Sequence, residues 1–125
     1  NTIIRKKKDT GTSKSLLYRL AYHDFYLLNK YITLKKIKSI ETKTKKKVLK
    51  IKINLINKNI FNFVYDVGSD TKIHLINNTR MDTFNNNPIK DMLKSVLYKK
   101  NNFRKNSKNA LDCIELIEEI KSNIK

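Results

Sequence analysis

His23-Asp24, His74 and Cys113 are the side chains that acid–base or nucleophilic chemistry would recruit first from this sequence. A general base needs a reacting group within hydrogen-bond reach, and an activated nucleophile needs such a base beside it. The spacing supplies neither. His23 and Asp24 are neighbours on a stretch with helical periodicity, where adjacent residues point to different sides. His74 lies in an alternating stretch, with no Ser or Cys placed beside it. Both histidines read as structural. Asp112, Glu115, Glu118 and Glu119 could gather Mg²⁺ only if other acids converged on them; on one helix they read as solvated surface. A lone cysteine allows no internal disulfide and no cysteine-based zinc cluster, and Cys113 next to an apolar stripe reads as a small buried residue. With two glycines in the chain, no glycine-rich phosphate loop can be built. The expectation is therefore no catalytic residue, no metal, no cofactor and no small-molecule substrate.

What the chain has in quantity is positive charge: a formal +17 over 125 residues. A compact body with that charge repels itself until a polyanion neutralises it. Nucleic acid is the first candidate, because each phosphate contact releases a counterion. The charge is uneven. Residues 1–52 hold sixteen basic and three acidic residues, whereas 53–125 hold twelve and eight. The polyanion is thus expected on the first half, and the acidic last helix is expected to face away. Asn and Ile each occur sixteen times, and lysine far outnumbers arginine. That usage is typical of AT-rich coding, so no single lysine carries weight alone. The blocks "RKKK" (5–8) and "KTKKK" (43–47) do, as basic arms.

The elements that must position these charges follow from periodicity. Residues 1–12 read as a basic N-terminal extension, extended or disordered without a partner. Ser13 or Ser15 can cap a helix, in which Leu17, Leu20, Ala21, Phe25, Leu28 and Ile32 share one face. Tyr18, Tyr22 and Tyr26 make a second stripe, read as the edge of a core or as a surface for a neighbouring protein. Residues 33–47 read as a basic connection, closing an N-terminal unit of 13–47. From 48 to 125 the expectation is an α+β RNA-binding domain. Leu49, Ile51, Ile53 and Leu55 alternate with Lys50, Lys52 and Asn54, as in a strand with one buried face. Phe61, Phe63 and Tyr65 alternate likewise, and residues 72–77 suggest a third strand. Turns at 57–59 and 68–70 would make these a three-stranded antiparallel meander with helices packed on one face. After a polar loop (77–87), Pro88 would open a short helix over 89–98. Ser107 would cap a final helix burying Ala110, Ile114, Ile117 and Ile120. No apolar run approaches the ~20 residues of a membrane span, so no membrane partner is expected. The chain begins at Asn1 rather than Met, as a cleaved targeting segment or trimming would leave it.

Asn57-Lys58-x-Ile60-Phe61-x-x-Val64-x-Asp66 resembles the central hairpin of the L-eighteen family of large-subunit ribosomal proteins, which bind 5S rRNA. Lys38-Ser39-Ile40 with Thr42, the alternation Leu49-x-Ile51, and Asn106-x-x-Asn109-Ala110 at the last helix are similar too. The resemblance covers roughly residues 36–121 and lacks the family's closing basic strand. It implies a structural, non-catalytic protein of the large subunit of an organellar ribosome; with the polarised charge and the missing start Met, the expectation is a mitochondrial one. Its partners would be rRNA, 5S or its replacement, and neighbouring ribosomal proteins. Charge and resemblance together nominate Arg5, Lys6, Lys7, Lys8, Lys35, Lys36, Lys38, Lys43, Lys45, Lys46, Lys47, Lys50, Lys52, Asn57, Lys58, Arg104 and Lys105 as RNA contacts. The other expectation is a non-catalytic subunit of another organellar or viral assembly, docking protein through the tyrosine-rich helix.

Overall fold

The structure is a computed structural model of the chain and describes residues 1–81 and 103–124, apart from the side chains of residue 13 and residues 103–106. The helix expected over 89–98 lies outside the described residues. Six strands form one sheet: β1 (Thr2–Lys6), β2 (Ile37–Lys45), β3 (Val48–Leu55), β4 (Ile60–Asp66), β5 (Ile73–Ile76) and β6 (Thr79–Arg80). Their order is β2-β3-β4-β1-β5-β6. Strand β1 runs parallel to β4, and every other pairing is antiparallel.

This replaces the expected three-stranded meander with a mixed sheet. The β3–β4 hairpin forms as its alternation requires, but β5 does not pair with β4. Strand β1 lies between them, with Ile3 opposite Phe63 on one side and Ile76 on the other. The stretch read as a solvated arm is thus the middle of the sheet. The stretch read as a basic connection is β2, a nine-residue edge strand. Its signal is weak because its inward positions after Ile40 are Thr42 and Thr44 rather than apolar residues, and a bulge between Ile37 and Ser39 breaks the period of two at its start. The polar loop after β5 also starts in regular structure. Asn77 and Asn78 both have positive φ, 47° and 67°, as a two-residue hairpin turn requires, and they lead into β6.

The helical layer covers one face of the sheet. α1 (Ser13–Leu16) is capped by Thr12, whose side chain accepts from the Ser15 amide; the cap is one residue before Ser13 and three before Ser15, the serines expected for it. A π-helical turn (Leu17–Ala21) joins it to α2 (Tyr22–Leu27). The buried residues come in adjacent pairs, Leu16/Leu17, Leu20/Ala21 and Asp24/Phe25. A spacing of four drifts around a helix of 3.6 residues per turn; the widened turn absorbs the drift and keeps all three pairs facing the sheet. α3 (Phe103–Asn123) packs beside α2. It starts before Ser107, and its buried stripe is Cys113, Leu116, Ile117 and Ile120, with Ile114 44% exposed. The inward set is therefore one residue off the expected one at Ile114.

The core lies between the layers. Leu49, Ile51, Ile53 and Leu55 of β3 and Phe61, Phe63 and Tyr65 of β4 meet Leu17, Phe25, Leu116 and Ile117 there. Phe63 is at its centre, stacked between Phe61 and Tyr65 and edge-on to Phe25 at 5.0 Å. Phe63→Ala should cost about 3–5 kcal/mol, as removal of a fully buried ring does. Urea unfolding will read this as a lower midpoint at unchanged slope.

Candidate nucleic-acid interface

Alternation sends the other half of each strand to the face opposite the helices. Cross-strand register arranges those side chains in rows. One row runs Lys43, Lys50, Val64, Ile4, Leu75, Arg80; the next runs Lys45, Val48, Asp66, Lys6, Ile73; on the other side lie Glu41, Lys52, Asn62 and Thr2. The centre is apolar and half-buried, whereas the β2–β3 side carries lysine. Lys43 stands directly opposite Lys50, a pairing of like charges that destabilises a sheet. Among the described residues neither has an acidic partner; Glu41 pairs with Lys52 instead, at 3.8 Å.

The rows also bring together two basic blocks that are distant in sequence. The Lys7 amide donates to Asp66 O at 2.9 Å, and the Val67 amide donates to Lys47 O at 3.0 Å. Lys6–Lys8 and Lys45–Lys47 thus flank the same end of β4. Lys46 has φ 51°, the left-handed conformation that closes the β2–β3 turn. Lys45, Lys46 and Lys47 are exposed.

No family model, curated protein or solved structure matches the chain. The site therefore stands on its own geometry, which sorts the seventeen nominated residues into groups. Lys6, Lys43, Lys45, Lys50 and Lys52 share the face opposite the described helices, with Lys46 and Lys47 at its rim. Lys7 and Lys8 are beside them but lie near acids, Asp9 at 3.9 Å and Asp70 at 3.3 Å. Lys35, Lys36, Lys38, Asn57 and Lys58 lie at the opposite end of the sheet. There the Ile56 amide donates to Lys36 O, Lys36 Nζ donates to Lys30 O at 2.7 Å, and Asn57 Oδ1 accepts from the Asn59 amide. The β3 strand separates these two ends by roughly 20–25 Å at ~3.3 Å per residue. Arg104 and Lys105 lie in α3, their side chains outside the described set.

Arg5 does not belong to the interface. It points to the core side, where Nε and a terminal nitrogen donate to both oxygens of Asp24 at 2.8 and 2.7 Å. Tyr65 Oη donates to Asp24 Oδ2 at 3.0 Å, and His74 Nε2 lies 3.1 Å from Oδ1. Asp24 is 1% exposed. Burial raises its carboxyl pKa, but the bonds from His74 and Arg5 outweigh burial and hold it below the ordinary value. A carboxylate so fully occupied has no lone pair left to activate a substrate, so the cluster joins β1, α2, β4 and β5 rather than forming a reaction centre. Sequence reading left Asp24 without a partner, since His23 beside it points elsewhere; the histidine that meets it is His74, fifty residues away.

The tyrosine stripe edges the core: Tyr18 is exposed, and Tyr22 and Tyr26 are half-buried. Tyr22 and Tyr26 pack against the core, and Tyr18 donates to Glu118 of α3.

Proposed function

We propose that this chain is a structural RNA-binding protein that lays the lysine side of its open sheet face on folded RNA and catalyses nothing. The Lys43–Lys50 pair supports this most directly. Facing like charges weaken a sheet by about 0.2–1 kcal/mol, and a phosphate between them turns that repulsion into attraction. The aromatic rings of the described strands, Phe61, Phe63 and Tyr65, lie on the core side, so contact by the sheet would be through phosphates and 2′-hydroxyls, the usual mode for RNA helices. The hairpin resemblance extends the proposal to rRNA of the large subunit of an organellar ribosome, the mitochondrial one.

The test is the salt dependence of binding to a hairpin RNA. The intact protein should lose affinity steeply between low and moderate salt. Lys43→Gln/Lys45→Gln/Lys50→Gln should flatten the log–log slope by roughly 2–3, since each neutralised phosphate contributes about 0.7–0.9. Its melting temperature should hold or rise, because repulsion is relieved. Lys35→Gln/Lys58→Gln, at the far end, should change the slope less. A triple variant with the parental slope would refute the interface.

A further inference from the structure

Strand β2 ends the sheet on one side, and among the described residues no strand pairs with its outer edge. The opposite edge, β6, is two residues long, too short to template anything. β2 offers nine residues of backbone. Beside it runs a groove of about 420 Å³, lined by Glu41, Thr42, Lys43, Thr44, Asn123 and Ile124. Its wall is fixed: Thr42 Oγ1 donates to Asn123 O at 2.9 Å, holding the end of α3 against the strand. Ile124 packs on the core and gives the groove an apolar side.

We propose that this edge accepts an extended acidic segment of a protein partner as an additional strand. A strand edge presents donors and acceptors in alternation, which a peptide backbone matches; phosphates only accept. Alternation then sets the side chains of the incoming segment. On the open face they lie beside Lys43 and Lys45, where acids fit; on the other face they lie beside Thr42, Thr44 and Ile124, where small apolar residues fit. Glu41 is already engaged by Lys52. A second copy of this chain fits poorly, because each copy carries +17 and brings its own lysines to the same edge. Edge lysines commonly deter such self-pairing; the same charge recruits an acidic strand.

The probe is a fluorescein-labelled peptide alternating Glu and Val over about nine residues, the length of β2, titrated into the full chain without RNA. It should bind saturably, and amides of residues 37–45 should gain hydrogen-exchange protection. Lys43→Glu/Lys45→Glu should weaken binding at least about tenfold, with an unchanged melt showing that the variant folds. Two further peptides carry N-methyl groups on every Val or on every Glu. Only one of these sets points its N–H groups at β2, so one peptide should lose at least about tenfold more affinity than the other. No binding by the parent peptide, equal binding by the two methylated peptides, or protection gained elsewhere would overturn the proposal. So would a concentration-dependent dimer that protects the same amides, which would place a second copy there. None of these outcomes bears on RNA binding to the sheet face.

Discussion

Deleting residues 1–8 will abolish the cooperative unfolding transition of this protein. The expected result is a far-UV spectrum without the sheet signal and no thermal transition. A control, Lys6→Gln/Lys7→Gln/Lys8→Gln, should melt close to the intact chain. The deletion has this effect because β1 is flanked on both sides. It pairs with β4 from Thr2 to Lys6 and with β5 from Ile3 to Lys6. Without it, β5 and β6 have no neighbour in the sheet, and β4 loses one of its two partners. Two energetic losses add to the broken ladders. Ile3, wholly buried, contributes about 1.5–3 kcal/mol by leaving water. Arg5 neutralises the buried Asp24, and leaving a buried charge unpaired costs about 3–5 kcal/mol. A domain of this size is stable by only about 5–15 kcal/mol. Were residues 1–8 a solvated arm, their removal would weaken RNA binding and leave the melt intact.

Physical causes separate what the sequence discloses from what it hides. β3 and β4 are readable because strict alternation runs through Leu49–Leu55 and Phe61–Tyr65, and the turn residues Asn57 and Lys58 separate them. Lys58 has φ 71° there, within a polar stretch that tolerates it. β1 is not readable. Its apolar residues Ile3 and Ile4 are consecutive, one for each face of an internal strand, and the lysines that follow resemble a tail. β2 is hidden because Thr42 and Thr44 fill its inward positions, and a bulge offsets its first residues. The position of β1 between β4 and β5 is a long-range pairing, and no local period encodes it. The lysines were visible as charge, but their convergence depends on that same pairing: β1 carries Lys6 to the end of β4 where the β2–β3 turn delivers Lys45–Lys47. Arg5 was misassigned because its partner, Asp24, lies on a helix nineteen residues away, and no local spacing links the two. In α3, Ile114 turns outward from the stripe expected to hold it, whereas Cys113 is buried as its place beside that stripe suggested, and burial raises its thiol pKa to about 11.

Asp24→Ala should destabilise the protein by about 3–5 kcal/mol, the range for removing one member of a buried ion pair. The guanidinium of Arg5 is 20% exposed at its side chain and would lose both carboxylate bonds. The buried Tyr65 hydroxyl would lose its acceptor as well, at a cost of about 1–3 kcal/mol for an unsatisfied group. The pH dependence follows from the direction of the Asp24 shift. Its folded pKa is depressed, so its contribution is fully present above the unfolded value of about 3.9 and is lost as pH falls through the folded value. The intact protein should therefore lose stability below about pH 4, and Asp24→Asn should show a shallower decline there. Denaturant titrations at stepped pH will measure both slopes; equal slopes would mean that Asp24 is not the carboxylate that acid acts on. A compensated variant separates charge from packing. Arg5→Met/Asp24→Leu removes both charges together and should recover much of the single-variant loss, because apolar replacement of a whole buried pair is often neutral. Non-additivity in that cycle measures the coupling directly. If the double variant is as unstable as Asp24→Ala, the cluster stabilises the fold through the geometry of its hydrogen bonds to Tyr65 and His74 rather than through pairing with Arg5.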